Sequence, residues 1–155
     1  MAIFNPKTVL VVAAHPDDEV LGCGGSVARW IAGGATAHTL ILGQGELARQ
    51  SVPDRSTAEP TLQELRTAAD DAARVLGVAS VRVLDFPDNR FDAEDLLDLV
   101  HAIEEVIADV QPDTILTHHR GDLNVEHRRT FEAVLTACRP LPGTSVRPIL
   151  SFEPP

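Results

Sequence analysis

A chain of 155 residues is the size of one domain, and its 44% hydrophobic and 23% charged residues are ordinary for a globular protein with a single core. Its net charge of −10 argues against nucleic acid or an anionic membrane surface as a partner, although a local cation can still draw in a small anionic substrate. No apolar run approaches the roughly 18 residues of a membrane span, residues 1–7 lack a signal-peptide layout, and Cys23 and Cys138 form no CxxC pair or disulfide framework, so the expected setting is the cytoplasm.

The apolar run at residues 8–14 reads as a fully buried strand that drops directly into His15, Pro16, Asp17, Asp18 and Glu19. Residues 25–32 follow as a short helix, and Gly22, Cys23, Gly24 and Gly25 before it read as a close chain turn. That glycine stretch matches neither G-x-G-x-x-G nor G-x-x-x-x-G-K-[ST]. A second strand spans residues 36–42, and the polar stretch 51–60, with two prolines, reads as a loop. Leu62, Leu65, Ala69, Ala72 and Leu76 recur at helical spacing up to Gly77. A third strand is expected at 81–84 and a long helix at 92–110, broken by Pro112. A fourth strand at 114–117, a helix at about 126–137 and a fifth strand at 146–152 complete the pattern.

Strands and helices alternating at these spacings predict a single α/β domain over 1–155, a Rossmann-like three-layer sandwich with a mostly parallel sheet of about five strands. In such sheets ligands bind at the carboxyl ends of the strands, where the strand order reverses. With the order 3-2-1-4-5, strands one and four are neighbours at that point. The loop from His15 to Glu19 and the loop running from His118 and His119 to His127 then converge on one crevice.

Imidazole and carboxylate ligands suit zinc or a similar divalent ion, and a catalytic site keeps three protein ligands and one open position. His15 and Asp18, three apart on a tight turn, supply two ligands, and His127 at a helix start is the choice for the third. Asp17 stands beside the ion without needing to bind it, so it is the candidate general base on an ion-activated water. His118, His119 and Asn124 are candidates for steadying the oxyanion. Arg49, Arg66 and Arg90 could bind sugar hydroxyls or an anionic group, or equally form surface ion pairs. His38 in strand two and His101 on the long helix read as structural, and Asp17, Asp18 and Glu19 would also suit an acidic helix N-terminus.

These residues resemble the PIG-L/LmbE family of zinc-dependent N-deacetylases over nearly the whole chain. The anchors are the strand ending in Ala14-His15-Pro16-Asp17-Asp18-Glu19, then Gly24-Gly25, and Gly43, Gly45 and Glu46 after strand two. Ala72 to Val78, Asp85 to Asp92, and Asp122, Asn124, Glu126 and His127 match further. The resemblance implies a Rossmann-like fold, Zn2+ (or another divalent metal such as Fe2+) held by His15, Asp18 and His127, and Asp17 as general base. It implies a small-molecule substrate, an N-acetylglucosamine unit on inositol, a lipid, a thiol precursor or another small aglycone. The Phe86-to-Asp92 stretch resembles bacterial members acting on small sugar derivatives, which puts Asp88, Asn89 and Arg90 among the substrate-binding candidates. The sequence departs from the family at Asn124, where many relatives carry histidine, and at Glu126, where aspartate is usual. It also stops short of the family's usual C-terminal extension.

Two other readings remain beside the enzyme: a nucleotide- or phosphate-binding module built on the first loop, and a metal-binding member without catalysis, serving a structural or regulatory role. The oligomeric state is open, a homo-oligomer included.

Overall fold

The structure, a computed structural model, describes residues 4–43, 45, 55–140, 146 and 148–154, with side chains 55–59 and 61 excepted. Five strands form one sheet in the order β3-β2-β1-β4-β5, and each neighbouring pair runs parallel. The strands are β1 (Thr8–Ala13), β2 (Thr36–Gly43), β3 (Ser80–Phe86), β4 (Thr114–His118) and β5 (Ile149–Phe152). The helices are α1 (Asp18–Ala32), α2 (Arg55–Leu76), α3 (Leu96–Val110) and α4 (Val125–Ala137).

The central strand shows why the sheet is covered twice. Side chains alternate across a strand, and in β1 both sets are apolar. Leu10 and Val12 face a core shared with α3 and α4, including Leu99, Ile103, Ala133 and Val134. Val9 and Val11 face the other way, against Cys23 and Val27 of α1. Ala13 joins Ile41 and Ala69 of α2 on that same side. A strand buried on both faces reads as a continuous apolar run, and this one does.

The expected strand order holds, with β1 and β4 side by side: Val9 pairs with Thr114 and Val12 with Thr117. The helix boundaries differ in three places. The helix expected from residue 25 begins at Asp18, so Gly22, Gly24 and Gly25 lie inside α1 rather than in a turn. Packing explains part of this: a Cβ on Gly22 would sit 2.2 Å from the Phe152 ring, and one on Gly24 would meet Leu76 at 3.7 Å. The backbone of α1 therefore approaches β5 and α2 closely, and glycine permits it. α2 begins at Arg55, running through Pro60. The amide hydrogen that Pro60 lacks would have paired with the carbonyl of Ser56, in the helix's first turn. α3 begins at Leu96 rather than residue 92, after the non-helical cap Asp95.

Candidate functional site

β1 ends under the site, and the chain must turn from a buried strand into α1 within a few residues. Asp17 makes that turn with φ 109, a conformation that L residues rarely adopt, and it is the N-cap of α1. The Glu19 carboxylate reaches back to accept the Asp17 amide at 3.0 Å, holding the strained turn. Asp18 Oδ2 accepts the His15 amide at 2.9 Å. The loop is thus fixed by its own carboxylates, and the Asp17 side chain is left on the exposed side.

From β4, His118 is fully buried, and its Nε2 accepts the amide of Ala14 at 2.9 Å. Its ring stacks on His127 with centroids 3.9 Å apart and touches Phe152 at 4.9 Å. The strand ends of β1 and β4 are thereby fastened together. Asn124 caps α4, its side-chain oxygen accepting the Glu126 amide at 2.8 Å. That cap aims the first turn of α4, and with it Glu126 and His127, at the end of β1.

His15, Asp18 and His127 meet there. His15 Nδ1 and His127 Nε2 each lie 3.4 Å from the same Asp18 oxygen, Oδ2. Ligand atoms around a tetrahedral ion with bonds of about 2.0–2.1 Å stand about 3.3 Å apart, so the spacing suits one small divalent cation. The outward nitrogen of each ring is also held: His15 Nε2 is 2.6 Å from Glu126 Oε2, and His127 Nδ1 is 2.8 Å from Asp122 Oδ2. A carboxylate on the far nitrogen is the usual support for a metal-binding histidine. Two other groupings could also hold an ion, His118 with Asp122 and His127, and His15 with Asp88 and Glu126. Each shares one histidine with the His15, Asp18 and His127 set but takes Asp122 or Glu126 as a ligand, whereas that set leaves both carboxylates free to support the rings.

The electrostatics match a site built for a cation. Burial would raise the Asp18 carboxyl, but His118, His127 and His15 outweigh it and hold it well below the usual range. Burial lowers His15, yet hydrogen bonds to Asp18 and Glu126 lift it to about 10. His127 is likewise raised, with Asp18 and Asp122 overcoming burial. Asp17 is raised by burial and then by the Asp18 charge, while His15 and His127 pull it back. His118 is lowered by burial, with Asp18 pulling it partly back.

The remaining expected residues divide. His119 is half-exposed, its Nδ1 accepting the Gly121 amide and lying 3.0 Å from Glu153. It stands on the outer side of the loop, apart from the cluster. Asp88 is brought in, but its carboxylate is buried, 3.5 Å from His15 Nε2. Asn89 takes the left-handed conformation at φ 54 in the same turn. Arg90 enters through its backbone, which donates to Glu126 Oε1 at 3.3 Å, while its side chain is exposed. Arg66 lies half-buried on α2, and Arg49 and Glu46 lie outside the described residues. Phe91, fully buried against the His15 ring and beneath Gly43, forms a wall that sequence reasoning did not single out. Asp122 and Glu126 were noticed only as parts of a motif. The signal available was an acid beside a candidate ligand, and only the side-chain geometry shows which histidine each acid serves.

A family model described as PIG-L, GlcNAc-PI de-N-acetylase, matches residues 10–138. The chain is 30% identical over 154 residues to an uncharacterized deacetylase, YaiS, of Escherichia coli K12, covering 96% of this chain and 75% of that protein. It is 29% identical over 162 residues to the 1D-myo-inositol 2-acetamido-2-deoxy-alpha-D-glucopyranoside deacetylase of Kineococcus radiotolerans, covering 86% of this chain and 45% of that one. Among solved structures it is similar to GalB, the 4-carboxy-2-hydroxymuconate hydratase of Pseudomonas putida KT2440. That similarity has a TM-score of 0.69 and 26% identity, over 96% of this chain and 63% of the other. The chain therefore spans three quarters of the first relative, less than half of the second and under two thirds of the third.

Proposed function

The chain belongs to the PIG-L (GlcNAc-PI de-N-acetylase) family, and from that premise we propose that it is a metal-dependent hydrolase removing acetyl from an N-acetylglucosamine-type amino sugar on a small-molecule carrier. The observation that carries the reading is the meeting of His15 Nδ1 and His127 Nε2 at 3.4 Å from one Asp18 oxygen, with Asp17 beside them. Zinc, or another divalent metal such as ferrous iron, would polarise the amide carbonyl there and lower the pKa of a water. His15, Asp18 and His127 are the residues that would hold it.

Asp17 stands exposed at the mouth and takes the proton of the attacking water. As water adds to the amide carbon and the C–N bond breaks, that proton passes to the departing amine, giving acetate and a free amino sugar. The side-chain amide of Asn124 supplies a donor near the developing oxyanion, since its oxygen is already committed to the helix cap. His118 serves by holding β1 against β4 and stacking under His127, because its lone pair is occupied. Residues 1–155 act as one domain in this reading. No described helix is long and apolar enough to cross a membrane, and two unpaired cysteines fit the reducing cytoplasm.

The test is an acetate-release screen over N-acetylglucosamine derivatives with zinc-loaded protein, alongside Asp17→Asn. The expected result is acetate from the wild type and none from a variant that still binds metal. Full activity in Asp17→Asn removes Asp17 as base, and bound metal without acetate from any substrate supports a non-catalytic role instead. The likeness to a hydratase favours one second reading, addition of water across a carbon–carbon double bond. It would appear as loss of an enol or diene absorbance with no acetate.

A further inference from the structure

Between α1 and α2, at the carboxyl edge of the sheet, lies a partly open cavity of about 310 Å³ with Asp17 in its wall. Its shape follows from the side chains along the two helices. At the far end they run close together: a Cβ on Gly24 would be in contact with Leu76, and one on Gly77, just past α2, with Ile31. Toward the site, α2 presents the small residues Ala68, Ala69 and Ala72, and the helices are left apart. Leu65 of α2 and Val20 and Leu21 of α1 complete the walls, and Leu21 keeps 58% of its surface exposed at the lip. The charged groups in this lining are the acids Asp17 and Glu19, and the Glu19 carboxylate is turned to the Asp17 amide.

Such a lining repels an anion and, apart from the Asp17 carboxylate at its edge, is apolar rather than matched to a polyol, yet it is continuous with the proposed base. Whatever fills it lies within a few bonds of the reacting amide. Resting on the deacetylase reading, we propose that this cavity seats an alkyl or aryl group of the substrate, so that the enzyme acts on an amino sugar bearing a hydrophobic substituent rather than an anionic one. The volume is at the lower end of the range for small-molecule pockets, roughly 300–1,000 Å³. The hydrophobic group could be attached as the aglycone or as the N-acyl chain, and the walls recognise both alike.

The experiment measures binding and turnover separately on the full, zinc-loaded chain. Calorimetry compares methyl and octyl glycosides of N-acetylglucosamine below micellar concentration, then N-acetyl and N-hexanoyl glucosamine. Each buried methylene tightens binding roughly fourfold, so the octyl or the hexanoyl compound should bind at least about tenfold more tightly than its short counterpart. Whichever arm shows the gain identifies the attachment. Ala68→Phe fills the cavity from an exposed helix position, and Leu21→Gln makes its lip polar. In both, with melting temperature confirming the fold, the long-to-short affinity ratio should collapse toward one. Equal affinities in the wild type, or a ratio untouched by both variants, overturn the proposal. Acetate released equally from methyl and octyl glycosides, with no binding preference, refutes the cavity's role while leaving the deacetylase reading standing. A preference for the long compounds without any acetate release does the reverse.

Discussion

Two glycines three residues apart in α1 should respond to the same substitution with opposite signs. Gly25 is exposed and helical, and a Cβ there meets nothing within 4 Å. Gly25→Ala should therefore gain the ordinary helix-propensity difference, about 0.8–1 kcal/mol. At Gly22 the new Cβ would lie 2.2, 2.7 and 2.9 Å from three carbons of the Phe152 ring. That ring has little room to yield, because it is 7% exposed, packs in the buried cluster with Cys23 and Leu116, and lies against the buried His118. Overpacking of a fixed neighbour costs typically 1–3 kcal/mol, and a clash this deep belongs near about 3. Subtracting about 1 kcal/mol of helix propensity leaves a net loss of about 2 kcal/mol. For a chain of this length each kcal/mol is about 2–4 °C, so Gly22→Ala should melt roughly 4–8 °C lower and Gly25→Ala roughly 2–4 °C higher. The assay is paired thermal denaturation, checked by urea midpoints with unchanged slope. A Gly22→Ala protein melting at or above the wild type would refute the close approach of α1 to β5. The displacement of Phe152 would also press on His118, and through its stack on His127 should weaken metal retention.

Further outcomes follow from the same geometry. Glu126→Gln keeps volume but leaves a buried amide facing either His15 or the Arg90 amide with the wrong partner, and loss of such second-layer support should lower zinc affinity about 10–100-fold in a chelator competition; unchanged affinity would mean that Glu126 does not orient His15. Asp122→Asn should act in the same direction through His127, because it sits on that ring's far nitrogen. Burial pushes the Cys23 thiol up to about 12 and Cys138 up to about 11, with Glu19 and Glu104 adding to it. The folded state therefore holds protons that the unfolded chain has released, so stability is full below about pH 8.5 and falls as pH rises toward 11–12. Melting curves across that range should decline. At pH 8, thiol reagents should label Cys23 only after denaturation, and rapid labelling of Cys23 in the native protein would contradict its burial.

Much of the site was legible because the two loops that hold it follow strands whose periodicity is unambiguous. From Val9 to Ala14 the run is apolar at every position, which marks a central strand buried on both faces. Once strands one and four are neighbours, His15 and His127 converge without further information. The start of α1 was not legible, because three glycines in four positions signal a turn locally, and only the closeness of Phe152 and Leu76 explains a glycine-rich helix there. Pro60 hid the first turn of α2 for a similar reason. The pairing of Glu126 with His15 spans 111 positions, and nothing local separates it from a helix-surface acid. The burial of His118 was not legible either, since nothing in the sequence separates a histidine packed beneath the site from one open to it. The cavity beside Asp17 arises from alanines whose effect is the absence of side chains, which leaves no motif to read.

Elemental analysis of the protein after gel filtration, for the wild type and for His127→Ala, tests the central claim most directly. The site geometry leads to about one zinc or similar divalent ion per wild-type chain, and far less in the variant, as a three-ligand site requires. A well-folded wild type that carries no metal, takes up none on addition of zinc, and melts identically with and without chelator would contradict it.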